Sequence, residues 1–136
     1  VIKIVGEGST ASARTTGAAT ATALGDESDA NITIPCAKTF TLLKIQTSHA
    51  AWVTLYIDTA SRTNDAGRNI NTDPEAGSGV LAEVITSDGS TINITPGTIG
   101  WNNDGTPAAQ VYAKVVNKSG SQQDLTVTLH YVALEV

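Results

Sequence analysis

The chain of 136 residues carries eight Lys or Arg against thirteen Asp or Glu, a formal net charge of −5, and only 15% of its residues are charged. Its basic residues are scattered, so the cationic cluster that phosphate backbones and anionic membranes attract is missing, and neither nucleic acid nor a membrane is expected as a partner. No apolar run approaches the roughly 18 residues that cross a bilayer, and one cysteine, Cys36, excludes an internal disulfide.

The length fits one domain. With aromatics at 4%, a core must come from Val, Ile, Leu and Ala, and Thr, Ser, Asn and Gly stand where charges usually do. Thr suits a pleated, half-exposed surface, and Gly and Asn suit turns. Residues 1–5 are a short β-branched run closed by Gly6-Glu7-Gly8. Residues 9–30 hold one large apolar residue, Leu24, and bury little by themselves. The expectation for residues 1–30 is an extended arm, weak strands, or a surface ordered against a neighbouring subunit, ahead of a folded domain over residues 31–136.

From Asn31 the pattern is β. Residues 31–34 alternate polar with apolar and stop at Pro35. Residues 38–47 are strongly β, carrying Phe40, Leu42, Leu43 and Ile45, and the neighbours Leu42 and Leu43 predict a bulge or a strand buried on both faces. Residues 51–58 place Val53, Leu55 and Ile57 on one face and Trp52, Thr54 and Tyr56 on the other, and with 38–47 they read as an antiparallel hairpin. A long polar loop over 58–79 follows, of a kind often functional. Residues 80–86 and 91–95 flank Asp88-Gly89, a two-residue hairpin signal. After a second loop over 100–107 come strands over 110–117 and 125–132, the last with Leu125, Val127, Leu129 and Tyr131 facing one way. About eight strands without an amphipathic helix predict an all-β, antiparallel β-sandwich of jelly-roll type.

Chemistry has few places to reside. His49 and His130 sit in no metal or nucleophile motif, and Cys36 reads as a small buried apolar side chain. No phosphate-cradling loop or nucleophile elbow is present, so no enzyme, metal or cofactor is expected. In the 58–79 loop, Asp58, Asp65, Asp73 and Glu75 offer oxygens of the kind calcium accepts. Arg62 and Arg68 lie among them, and the favoured reading is that these arginines pair with Asp58, Asp65 or Asp73 and hold the loop in one shape. Trp101, Asn102, Asn103 and Asp104 form a possible glycan or interface contact, since indole faces stack on sugars and amides bind hydroxyls. The alternative for Trp101 is a plug over the end of the core. The sequons at Asn31, Asn93 and Asn117 matter only in a eukaryotic secretory protein.

Several ordered motifs resemble a β-sandwich module of tailed-phage virion structural proteins. They are Leu42-Leu43-Lys44-Ile45-Gln46-Thr47-Ser48, Ala51-Trp52-Val53-Thr54-Leu55-Tyr56, and Ser61-Arg62-Thr63 with Asp65 and Arg68. Thr72-Asp73-Pro74, Gly77-Ser78-Gly79-Val80 and Glu83-Val84-Ile85-Thr86 follow, then Pro96-Gly97, Gly100, Tyr112, residues 116–120 and Thr126-Val127-Thr128-Leu129. The resemblance implies a structural role in the virion, with phage capsid or tail proteins as partners. The leading expectation is a capsid decoration or cement protein, assembled as a homotrimer, that bridges capsid subunits. The alternative is a tail fibre or spike module that contacts host glycans.

Overall fold

A computed structural model describes residues 12–136 of the protein. In chain order its elements are β1 (Arg14–Leu24), β2 (Asp29–Pro35), β3 (Thr39–Thr47), β4 (Ala51–Tyr56), α1 (Thr59–Asn64), β5 (Val80–Ile85), β6 (Ser90–Trp101), β7 (Gln110–Asn117) and β8 (Gln123–Glu135). The strands form two four-stranded sheets in the orders β1-β8-β3-β6 and β2-β7-β4-β5, with antiparallel pairing throughout. Eight strands interleaved in this way make a jelly-roll β-sandwich, as the strand pattern predicts.

The core lies between the sheets and is aliphatic. Leu125, Val127 and Leu129 of β8 are fully buried and interdigitate with Phe40, Leu42 and Ile45 of β3 and with Ile34, Val53, Leu55, Val111 and Val115 from the facing sheet. Phe40 meets Tyr131 edge to face at 6.0 Å between ring centroids. The Leu42-Leu43 doublet is a bulge: pairing of β3 with both neighbours shifts between Leu42 and Lys44. Leu42 thereby stays in the core while Lys44 joins the outer face.

Three expectations need correction. The first concerns residues 9–30. Of the alternatives for this stretch, the strand is the one realised over Arg14–Leu24, eleven residues paired with β8 from Arg14↔Val132 onward, and the boundary at residue 30 falls inside β2. The sandwich therefore includes residues from Arg14. Residues 1–11, including the β-branched run over 1–5, lie outside those described. The scarcity of large side chains in β1 has a steric cause, because β1 and β2 converge at one edge of the sandwich. A Cβ on Gly17 would fall 1.8 Å from the Pro35 carbonyl oxygen, so only glycine fits there. The other inward positions of this stretch, Ala19 and Ala21, are small and pack on the core.

The second correction concerns hairpins. β3 and β4 lie in different sheets, as do β5 and β6, so neither the connection at residues 48–50 nor Asp88-Gly89 closes a ladder. Both carry the chain across the sandwich. There Thr47 and Thr86 share a buried 2.8 Å hydrogen bond, and Thr86 Oγ1 also accepts from the Ala51 amide at 3.0 Å. Among sequence neighbours only β4 and β5 are hydrogen-bonded to each other, and residues 57–79 join them.

The third is that this connection is not purely irregular. It opens with α1, which Asp58 caps by accepting the Ser61 amide at 2.7 Å. It closes at Gly79, whose carbonyl accepts the Ile57 amide at 3.0 Å and whose φ of +86° suits glycine.

Candidate functional site

The two outer faces of the sandwich are unlike, and the 57–79 connection makes them so. It folds back over the β2-β7-β4-β5 sheet, which is why all six residues of β4 are buried although alternate ones point away from the core. Trp52, Thr54 and Tyr56 take the outward positions of β4, as the alternation predicts.

Arg68 is the centre of this cover. Its guanidinium is held by Asp65 through Nε–Oδ1 at 2.8 Å and Nη2–Oδ2 at 3.0 Å, by both Glu83 oxygens, and by the Thr72 carbonyl at 2.8 Å. All five donors of the fork point at acceptors, and the group also stands 5.5 Å from the centroid of Trp52. Tyr56 donates to Asp65 Oδ2 at 2.6 Å, and Thr54 donates to Glu83 Oε2 at 3.0 Å. Trp52 Nε1 approaches Glu83 without reaching hydrogen-bond geometry. Lys114 of β7 donates to the Ala66 carbonyl at 2.7 Å and packs on the other side of the network, 5.6 Å from the Trp52 ring.

The electrostatics follow the geometry. Burial raises the carboxyls of Asp65 and Glu83, but the Arg68 guanidinium and the neighbouring hydroxyl donors more than reverse this, so both sit below the ordinary carboxylate range. Hydrogen bonds to Asp65 and Glu83 push Arg68 upward. Burial, reinforced by Asp65, pushes Tyr56 upward. The network is therefore charged at neutral pH, with Arg68 between two anions and the Lys114 ammonium offsetting the remaining negative charge.

The other residues expected to form ion pairs are used differently. Arg62 meets no carboxylate. It donates to the Ile32 and Ala113 carbonyls at 3.1 and 3.2 Å, lies 5.4 Å from the Tyr112 centroid, and is lowered by burial. Asp58 is the α1 cap and accepts from Asn103 at 3.1 Å, and the Ser61 contacts hold its carboxyl low. Asp73 is exposed and joins no ion pair among the described residues. Glu83, Tyr56, Thr54 and Trp52 escaped the sequence reading. An acid in the middle of the otherwise apolar Val80–Ile85 was the available signal, because it sits cross-strand from Thr54. Among the described residues no three His, Cys, Asp or Glu side chains are grouped so as to hold a metal ion.

The Trp101–Asp104 segment divides. Asn102 is 5% exposed and ties the loop together: its amide donates to the Gln110 carbonyl at 3.1 Å, and its Oδ1 accepts from the Asp104 and Ala108 amides. Asn103 is engaged by Asp58, and Asp104 accepts the Tyr112 hydroxyl. Trp101 alone is available. It is 45% exposed and lines a shallow cleft with Ile57, Pro74 and Leu81. It does not plug the core, since Gly100 is the residue that packs on Phe40.

Among the described residues, the outer face of the β1-β8-β3-β6 sheet has no such cover. Thr16, Ala18 and Thr20 of β1 stand beside Thr126, Thr128 and His130 of β8, then Lys44 and Gln46 of β3, then Thr91 and Asn93 of β6. Thr20 and Thr126 share a 2.7 Å hydrogen bond, and His130 Nε2 lies 3.1 Å from Gln46 Oε1. At one end Ile99 and Leu134 are 51% and 58% exposed. Away from strand ends, Lys44 is the only charged side chain on this face among the described residues. Cys36 is partly buried, and desolvation pushes its thiol up to about 11, which disfavours the thiolate that reactive cysteines use.

Compared with known proteins, the chain matches no family model, no curated protein and no solved structure.

Proposed function

We propose that the protein is a non-catalytic bacteriophage virion component, a capsid decoration or cement protein that bridges shell subunits. The observation that carries this reading is the contrast between the two outer faces: one is closed by the chain's own 57–79 connection, the other is an open, almost charge-free sheet. Docking such a face desolvates few charges and many Thr hydroxyls and methyls, at little electrostatic cost. The motif resemblance to tailed-phage structural modules supports the same role. So does the use of the polar loop side chains, since Asp58, Asp65, Arg62, Arg68, Glu83 and Asn102 are all engaged in holding loops rather than presented to solvent.

Labelling the protein on intact particles and imaging it tests this. The expected result is density distributed over the shell at hundreds of copies. Restriction to the tail at a few dozen copies would transfer the role to a fibre or spike. The exposed Trp101 beside Ile57, Pro74 and Leu81 favours that second reading, and a tail position with glycan binding that Trp101→Ala abolishes would establish it. The proposal includes self-association as a trimer, so sedimentation as a 14.0 kDa species at working concentration would remove that part.

A further inference from the structure

The described residues include seven cations, and four are committed. Arg62 and Lys114 donate to carbonyls, Arg68 is held by Asp65 and Glu83, and Lys118 pairs with Glu27 at 2.6 Å. Of the remaining three, Arg14, Lys38 and Lys44, two converge on one groove. Lys44 and His130 are cross-strand partners on the open face, and His130 is in turn opposite Thr16 of β1. Arg14 lies two residues before Thr16, on the same side of the strand. The groove has a volume of about 230 Å³ and is lined by Arg14, Thr15, Thr16, Leu43, Lys44 and His130. No acid lines it. The acids of these four strands, Asp124 and Glu135, stand at the two ends of β8 and are occupied by the Ala23 amide and the Thr39 hydroxyl. Gln46 holds the His130 ring in place from β3.

On a molecule of net charge −5, this gathers uncommitted positive charge on one side. The groove has a hydroxyl donor from Thr16 beside its cations, and an apolar wall from Leu43. We infer that the Arg14–Lys44–His130 groove is the anchor of the open face, and that it receives a carboxylate side chain from an acidic strand or loop of a partner protein. Opposite charges meeting across an otherwise neutral contact set register and encounter rate more than affinity. That suits a protein whose wide neutral face supplies area and whose groove fixes position. The inference rests on the decoration reading for the partner's identity, though not for the groove's chemistry.

The test is an NMR titration of the ¹⁵N-labelled protein at low salt with a Glu-rich peptide, with an oligogalacturonate, and with a Gln-substituted peptide as the neutral control. The Glu-rich peptide should shift amides at 14–16, 43–46 and 128–132, with binding weakened at least tenfold in Arg14→Glu or Lys44→Glu and retained in Lys44→Arg. Unchanged binding in both charge reversals would overturn the inference, as would tighter binding of the oligogalacturonate than of the peptide, or absence of shifts in those segments. Particle attachment separates this from the broader role. If wild type and Lys44→Glu attach equally, the groove is refuted and decoration stands. If wild type fails to attach while the peptide shifts appear, decoration is refuted and the groove stands.

Discussion

Replacing Arg68 by alanine removes the one cation between two carboxylates. The side chains of Arg68 and Asp65 are 8% and 9% exposed, and that of Glu83 is 21% exposed. Removing one partner of a buried pair costs about 3–5 kcal/mol because the remaining charge is stranded. Here water can reach Glu83, which places the expected loss near the lower bound, at about 3 kcal/mol. For a domain of this size that corresponds to a fall in Tm of roughly 10 °C. The pH dependence carries the sharper information. Asp65 and Glu83 have folded pKa values below their unfolded ones. Their contribution is therefore fully present above the unfolded carboxylate values of about 4 and is lost as pH falls through the folded ones. Urea denaturation of wild type and Arg68→Ala between pH 7 and pH 2.5 should show two curves far apart at neutrality that converge below about pH 4. A difference under 0.5 kcal/mol at pH 7, or one that does not narrow on acidification, would refute the account of the network.

Asn102→Ala should cost about 2–3 kcal/mol, since it leaves a buried carbonyl and two amides without partners; calorimetry showing less than 1 kcal/mol would contradict its role as the loop's organiser. Gly17→Ala forces a methyl toward the Pro35 carbonyl and should lower stability by about 1–3 kcal/mol by urea melt, whereas a neutral outcome would mean the β1–β2 edge has slack. Asp58→Ala removes the α1 cap and should cost about 1 kcal/mol, read as faster amide exchange across 59–65; unchanged exchange would count against it. With its thiol near 11 against an ordinary 9.0, Cys36 should react with iodoacetamide at pH 8 about a hundredfold more slowly folded than denatured, and equal rates would show the thiol to be solvated.

Much of the fold is legible in the residue order because large aliphatic side chains alternate along it. Leu125 to Tyr131 declare the buried face of β8, and Leu42-Leu43 declares a bulge. What is not legible has two causes. β1 owes its place to a close approach that demands small residues, so hydrophobic periodicity, which registers size, passes over it. The Asp88-Gly89 turn signals that the chain reverses, but a turn carries no information about which sheet receives the next strand. The loop network was half visible for a related reason. Asp65 and Arg68 are three residues apart and readable as a pair, whereas Glu83 arrives through the β4–β5 register, which only the folded sheet defines. Arg62 shows the complementary limit: an arginine among acids can be satisfied by main-chain carbonyls, and those are invisible in composition.

The pairing of β1 with β8 has a consequence for how the molecule is made. The strand that opens the sandwich finds its ladder partner about a hundred residues later, so at translation rates of roughly 5–20 residues per second it waits some seconds with every amide unpaired. A strand of Val and Ile kept waiting that long would invite pairing with neighbouring nascent chains. One built from Thr, Ala and Gly offers them little to hold, and the same small side chains that let the two sheets close are what keep the unfinished chain from sticking.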